Sequence, residues 1–171
     1  YDSILKIGKI GYRLSCNNKS EKSNTMSIHL LGFSGTGNKD FNFEVKGKIK
    51  GAEIDDLNND GMPDLVMYFV LDSNLSTTVL ALRSEKNESI EPIIFPELRD
   101  DLKLSKGYIG FDDFKLVEGS LFRAFPIFTL DSNKKIINSP EKKYRHIIYR
   151  LIKGERFMQF KSIKVYESEN L

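Results

Sequence analysis

Two hydroxyl-bearing side chains lie three residues apart, on either side of a glycine, in the segment Leu-Ser-Lys-Gly-Tyr. The segment's last four residues are Ser105, Lys106, Gly107 and Tyr108. Glycine accepts backbone angles that other residues resist, so this spacing is typical of a tight, exposed loop. Such a loop offers hydroxyl and ammonium donors together, which suits a cleft lined by carboxylates. The simpler alternative is a connection whose tyrosine packs onto the core and whose serine caps a turn.

A second candidate site is the acidic segment that begins at Asp56. Oxygen-bearing side chains stand at its positions 1, 3, 5 and 9, and a glycine at position 6 permits a sharp turn. The candidate metal ligands are the side chains of Asp56, Asn58, Asp60 and Asp64 and the main-chain carbonyl of Met62. Position 12 is Met67 rather than the glutamate of an EF-hand, so a short strand-loop-strand site for a structural Ca²⁺ ion fits better. The alternative is an Asx-turn, in which these side chains bind their own backbone.

The elements around these two sites are predicted to be strands. In the segment after residue 40, Phe41, Phe43 and Val45 alternate with polar residues, which is typical of a strand with one buried face. The segment Leu65–Leu71 is apolar throughout, which indicates a central strand covered on both faces. The predicted strands are Met26–Phe33, Phe41–Ile49, Leu65–Leu71, Thr77–Leu82, Ser120–Phe128, Tyr144–Leu151 and Phe157–Tyr166.

These strands predict an all-β fold, with a single antiparallel β-sandwich over residues 1–171 as one domain. A turn is predicted at Asp72–Asn74, between two of the strands. Only Leu98–Leu104 indicates a short helical turn. The exposed edge strands of such a sandwich would allow a homodimer.

Composition narrows the classes of function. The chain has 26 basic and 24 acidic side chains and a formal net charge of +2. Phosphate recognition leaves a concentrated basic footprint, so we expect no nucleic-acid partner. No apolar run reaches the roughly 20 residues that span a bilayer, so we expect no transmembrane segment. The single cysteine, Cys16, excludes an internal disulfide, and the start at Tyr1 leads us to expect that a targeting segment has been removed.

No catalytic constellation stands out from the sequence. His29 and His146 both fall within predicted strands, and no pair of histidines indicates zinc. Asp112 and Asp113 are adjacent, so an extended chain would point them to opposite faces. The residues therefore single out no catalytic group, and a hydrolase that uses an unrecognised carboxylate pair is a distant alternative.

The stretch around the Ser-Lys-Gly-Tyr segment resembles a known family. In order and spacing, FPELRDDLKLSKGYIGFDDFKLVEGSLFRAFPI is similar to the periplasmic inhibitors of invertebrate-type (i-type) lysozyme found in Gram-negative bacteria. The shared features are Pro-Glu-Leu, Leu-Ser-x-Gly-Tyr, an acidic-Phe pair, Val-Glu-Gly and Arg-x-Phe-Pro. The upstream run DLNNDGMPDLVMYF also resembles the family, which extends the similarity over residues 50–128.

The resemblance implies a β-sandwich protein that is not an enzyme and that inhibits lysozyme by inserting a loop into its active-site cleft. It also implies that Ser105 and Tyr108 are the inhibitory residues of that loop, and that the protein is exported to the periplasm or cell surface. The alternative function is a calcium-stabilised β-module at the cell surface that binds a glycan or a protein without inhibiting an enzyme. These two functions assign the activity to different segments, the first to the loop at Ser105 and the second to the loop at Asp56.

Overall fold

The structure is a computed structural model that describes residues 1–71, 76–138 and 143–171. It confirms the predicted fold class, because these residues form antiparallel strands and a single 3-10 turn, Leu98–Asp100. That turn is shorter than the helical turn predicted over Leu98–Leu104. The turn predicted at Asp72–Asn74 lies outside the described residues. Within the described part of the chain, no helix has the length and apolar character needed to span a bilayer.

The described strands are β1 (Asp2–Ile7), β2 (Ile10–Cys16), β3 (Ser23–Leu31), β4 (Asp40–Lys46), β5 (Lys48–Asp55), β6 (Asp64–Leu71), β7 (Ser76–Glu85), β8 (Ser89–Ile93), β9 (Asp113–Val117), β10 (Ser120–Pro126), β11 (Thr129–Leu130), β12 (Ile136–Asn138), β13 (Tyr144–Lys153) and β14 (Met158–Ser168). They form three four-stranded sheets and a small ribbon of β11 and β12. We call β1-β2-β3-β4 the first sheet, β5-β6-β7-β8 the middle sheet and β14-β13-β10-β9 the third sheet.

The middle sheet is covered on both faces, and its strand β6 contributes to two cores. Leu65, Met67 and Phe69 point into the first core, which the middle sheet shares with the first sheet. Val66 and Tyr68 point the opposite way, into the second core between the middle and third sheets. β6 is therefore apolar throughout because both of its faces are buried, as its sequence predicted. The sandwich thus contains three stacked sheets instead of two.

The strand predicted over Phe41–Ile49 is two strands that belong to different sheets. Phe41, Phe43 and Val45 alternate inward along β4 as expected, but the strand ends at Lys46, and Gly47 separates it from β5. Gly47 has a φ of +74°, and a Cβ atom there would lie 2.0 Å from the carbonyl oxygen of Val70. A side chain cannot fit at that distance, so the glycine permits the chain to pass from the first sheet into the middle sheet.

The middle and third sheets also meet at their edges. At one edge, the Ile94 N–H donates to the Met158 carbonyl and the Phe160 N–H donates to the Ile94 carbonyl, both at 2.9 Å. At the other edge, the Glu53 carboxylate accepts the Leu116 N–H at 3.0 Å. The second core is therefore enclosed on both sides, and residues 94–112, which join β8 to β9, carry the candidate loop.

Candidate functional site

The predicted binding loop begins with a turn organised by Asp101. Its Oδ1 atom accepts the N–H groups of Lys103 at 2.9 Å and Leu104 at 3.0 Å. Its main-chain carbonyl accepts the Ser105 N–H at 2.9 Å, and the Ser105 carbonyl in turn accepts the Tyr108 N–H at 3.0 Å. Short-range hydrogen bonds therefore fix the loop backbone from residue 101 to residue 108.

Arg145, on β13, holds the same loop from beneath. Its Nη1 atom donates to the carbonyls of Lys103 at 3.2 Å, Leu104 at 2.7 Å and Lys106 at 2.8 Å. Its Nη2 atom donates to Glu167 on β14 at 2.8 Å, which fixes the guanidinium in place. Arg145 is 8% exposed, so these charge-assisted bonds form away from bulk water and stabilise one loop conformation.

Gly107 brings the loop close to the end of β10. Its φ is +78°, and its carbonyl accepts the Phe128 N–H at 2.9 Å. A Cβ atom at this position would lie 2.5 Å from Ile127 Cγ2 and 2.6 Å from the Phe128 carbonyl oxygen. Both the backbone angle and the close approach therefore require glycine here.

The loop presents a mixed surface to solvent. Lys103 and Lys106 are exposed, and Leu102 is 84% exposed. Ser105 is half-buried, and its hydroxyl makes no hydrogen bond within the part of the chain that the structure describes. The groups available to a partner are thus two ammonium groups, one hydroxyl and one isobutyl side chain.

Tyr108 lies on the inner side of the loop. Its hydroxyl donates to Asp112 Oδ2 at 2.6 Å, and its ring packs edge-on against Phe125 at 4.9 Å between centroids. Burial, together with the negative charge of Asp112, raises the pKa of Tyr108 to about 12. Tyr108 therefore packs onto the core, which is the position that the simpler of the two interpretations of this loop gave it.

Behind Tyr108 lies a buried ion pair between Asp112 and Arg123. The Arg123 Nε donates to Asp112 Oδ1 at 2.7 Å. The Arg123 side chain is 4% exposed and the Asp112 side chain is 0% exposed. The Thr77 N–H donates to the second Asp112 oxygen at 2.9 Å, and Phe114 packs under the guanidinium at 5.1 Å. Hydrogen bonds from several elements thus satisfy the buried charges.

The sequence indicated that Asp112 and Asp113 point to opposite faces, but not that Asp112 is buried in an ion pair. Asp112 points inward and Asp113 outward, as their adjacency indicated. Arg123 was not recognised, although it has the same inward register as Leu121 and Phe125 on β10. A charged residue between two inward apolar positions was the signal that an acidic partner had to exist in the core.

Phe111 occupies an unusual backbone conformation between the loop and the ion pair. Its φ is +63°, and the residue is 49% exposed. A bulky side chain in the left-handed region is strained, and burial does not offset that strain here. The conformation turns the chain so that the following residue, Asp112, enters the core.

The segment from Asp56 to Asp64 forms a turn held by its own side chains. The two Asp56 oxygens accept the N–H groups of Asp60 at 3.0 Å and Gly61 at 2.8 Å. Asp60 Oδ1 accepts the Met62 N–H at 2.9 Å, and the Asn58 amide donates to Asp60 Oδ2 at 2.9 Å. This is the Asx-turn arrangement that was the alternative to a calcium site.

Asp64 stands apart from the rest of that turn, because its side chain is fully buried. Its two oxygens accept the N–H groups of Leu57 at 3.0 Å and Ser84 at 2.9 Å. Burial raises the pKa of Asp64 to about 7, and the nearby charges of Asp60 and Asp56 act in the same direction. Asp64 therefore joins the turn to β7.

The fit of this turn to a metal ion is incomplete. Among the described residues, no three His, Cys, Asp or Glu side chains converge on a point that could hold an ion. An oxygen atom that accepts one N–H keeps a further lone pair, so the side-chain oxygens of Asp56, Asn58 and Asp60 are still able to act as Ca²⁺ ligands. The calcium site stays a prediction.

The chain matches no protein-family model, no curated protein and no solved structure. The similarity to lysozyme inhibitors therefore remains a resemblance of residues and spacing.

Proposed function

We propose that the protein inhibits an i-type lysozyme by placing the loop of residues 101–108 in the active-site cleft. The observation that supports this most is the contact of Arg145 with three loop carbonyls. A loop that is ordered before binding loses less conformational entropy when it enters a cleft. The resemblance of the surrounding sequence to lysozyme inhibitors points to the same loop.

The exposed groups of the loop complement the chemistry of such a cleft. Glycosidases of this kind act through a pair of carboxyl groups that flank the scissile bond. The Lys106 ammonium would pair with a carboxylate there, and the Ser105 hydroxyl, which has no described partner, would donate a hydrogen bond. Leu102 would contact the apolar wall of the cleft.

In this proposal Tyr108 positions the loop. For its hydroxyl to reach a lysozyme carboxylate, the 2.6 Å hydrogen bond to Asp112 would have to break. Breaking it would leave a buried carboxylate with one fewer donor, which is costly in a low dielectric. We therefore assign partner contact to Ser105 and Lys106 and loop support to Tyr108.

The proposal places the protein in the periplasm or at the cell surface, where a lysozyme reaches peptidoglycan. The chain would act as a non-enzymatic partner that occupies the substrate site without being cleaved. The net charge of +2 does not oppose binding to a lysozyme, since the proposed contact is made by the loop alone.

The test is lysis of peptidoglycan by invertebrate-, chicken- and goose-type lysozymes in the presence of the protein. We expect selective inhibition of the invertebrate type, weakened about tenfold or more by Ser105→Ala/Lys106→Ala, which removes two polar contacts. The matched control is Ser15→Ala/Lys9→Ala, which changes the same residue types on the exposed face and turn of the first sheet. Absence of inhibition for all three enzymes would overturn the proposal.

A further inference from the structure

The third sheet has an outer face that no other described sheet covers, although the residues after β14 lie against one part of it, where the Asn170 carbonyl is 3.2 Å from His146 Nε2. The first sheet covers one face of the middle sheet and the third sheet covers the other, so the outermost face of the third sheet packs against no described sheet. Directly paired residues lie on the same face of a sheet. The strand register aligns one row across this face, consisting of Lys115, Phe122, Ile148 and Lys164. Its two central residues are half-buried and its two lysines are exposed.

A neighbouring row adds two more cations. Arg150 and Lys161 are opposite each other in the register of β13 and β14, and both are exposed. Among the described residues, Lys115, Lys161 and Arg150 form no ion pair, and Lys164 contacts only the ring of Tyr166. Within the third sheet's strands, Asp113 is the one acidic residue on this face. The face therefore combines an apolar centre with four cations.

The opposite surface of the molecule has a different character. The outer face of the first sheet carries Lys6, Arg13, His29 and Lys46, and of these Arg13 and His29 have an acidic partner. Arg13 lies 3.7 Å from Asp2, and His29 lies 2.7 Å from Asp40. Cations and carboxylates are thus mixed on the outer face of the first sheet, where Glu44 lies as well, whereas Asp113 is the one acidic residue of the described strands on the outer face of the third sheet.

We propose that the outer face of the third sheet binds an acidic polysaccharide. The carboxylates of the polymer would pair with Lys115, Lys164, Arg150 and Lys161. The C–H faces of its sugar rings would rest on Phe122 and Ile148. A four-stranded face is broad and open, which suits an extended polymer. This surface uses none of the loop residues and is independent of the proposed inhibition.

Other partners fit the face less well. The Tyr166 ring is stacked on His146 at 4.7 Å and is also contacted by the Lys164 ammonium, so it is not free to stack on a nucleobase. Phe122 and Ile148 are half-buried and do not project as a membrane-inserting side chain would. A second copy of the chain would bring four like charges against four more.

The test is calorimetric titration of the whole chain with polygalacturonate, with neutral dextran of similar length as the control polymer. We expect binding to polygalacturonate alone, and a log-linear loss of affinity as salt increases. Lys115→Gln/Lys164→Gln should weaken it about tenfold, through loss of two charge contacts. Lys6→Gln/Lys9→Gln, which changes two exposed lysines of the first sheet and its first turn, should leave it unchanged.

The outcomes separate this proposal from its competitors. No binding to polygalacturonate, or equal losses in the two lysine variants, would overturn it. Tighter binding to single-stranded DNA or to anionic vesicles, lost in the Lys115/Lys164 variant, would overturn it as well and assign the face to those partners. Peptidoglycan lysis assays of the same variants report on the loop separately, because the loop residues are untouched.

Discussion

The Arg123 guanidinium and the Asp112 carboxylate form a buried ion pair, with Nε and Oδ1 2.7 Å apart, immediately behind Tyr108. The pair joins β10 to the residue that precedes β9, and Tyr108 joins the loop to the pair. Through these contacts, the conformation of an exposed loop depends on charges inside the second core.

Neutralising one member of this pair should destabilise the fold. We expect Asp112→Asn to lower the free energy of unfolding by about 3–5 kcal/mol, because the Arg123 charge stays buried without its counterion. Asp113→Asn, at the exposed neighbouring position, should change it by less than about 0.5 kcal/mol. Urea denaturation measures both. Similar values for the two variants would contradict the assigned role of the buried pair.

Removing the Arg145 guanidinium should release the loop. In Arg145→Met, three loop carbonyls lose their common donor, so the Ser105 and Tyr108 amides should exchange with deuterium faster than in the wild type. Arg150→Met, an exposed position on the same strand, is the control and should leave these amides unchanged. Unaltered protection in Arg145→Met would mean that the turn at Asp101 suffices to order the loop.

The positive φ of Phe111 predicts a reversed preference between alanine and glycine. Alanine keeps the backbone strain of this position, whereas glycine relieves it, so Phe111→Gly should be more stable than Phe111→Ala by about 1 kcal/mol. At Thr25, an exposed position in the middle of β3, the order should be the opposite. Thermal or urea unfolding of the four variants provides the comparison. The same order at both positions would argue against strain at Phe111.

Asp64 should make stability depend on pH. Its pKa is raised from 3.8 to about 7, so the folded state holds the proton more tightly than the unfolded chain. The contribution of the Asp64 proton to stability is therefore complete below pH 3.8 and is lost as pH rises through about 7. Between these two pH values the free energy of unfolding falls by at most about 1.4 kcal/mol per pH unit. The unfolding free energy of the wild type minus that of Asp64→Asn should therefore fall as pH rises over this range. A constant difference from pH 4 to pH 8 would contradict the raised pKa, and Asp113→Asn serves as the reference profile.

The calcium hypothesis makes a thermodynamic prediction for the Asp56 turn. If the turn binds the ion, adding Ca²⁺ to chelator-treated protein raises the melting temperature, because a ligand that binds only the folded state stabilises it. Asp60→Ala should abolish that rise, whereas Asp113→Ala should retain it. A melting temperature that is insensitive to Ca²⁺ would leave the turn to its own hydrogen bonds.

Much of the fold could be predicted because strand patterns are local. The alternation in β4 and the uniform apolarity of β6 each indicated how many faces the strand buries. The end of β4 was missed because Val45, Gly47 and Ile49 continue the same two-residue period into the next sheet. Only the close approach of the Val70 carbonyl to Gly47, a long-range contact, marks the break.

The candidate site was predictable only in part, for a similar reason. The glycine of the loop could be recognised from its neighbours in the chain. Its supports could not, since Arg145 lies 39 residues beyond the Lys106 carbonyl that it binds. The interior position of the Tyr108 hydroxyl depends on Asp112 and Arg123 together, and no local pattern links these residues.

The passage at Gly47 has a consequence for the modularity of the molecule. Residues 2–46 form the first sheet without any strand from the remainder of the chain, so they look like a removable unit in the linear sequence. The remainder of the chain nevertheless depends on them, because Leu65, Met67 and Phe69 of the middle sheet would lose their apolar cover if the first sheet were absent. The first sheet therefore covers the apolar face of the middle sheet. A chain shortened to its loop-bearing half would expose that face and become prone to self-association.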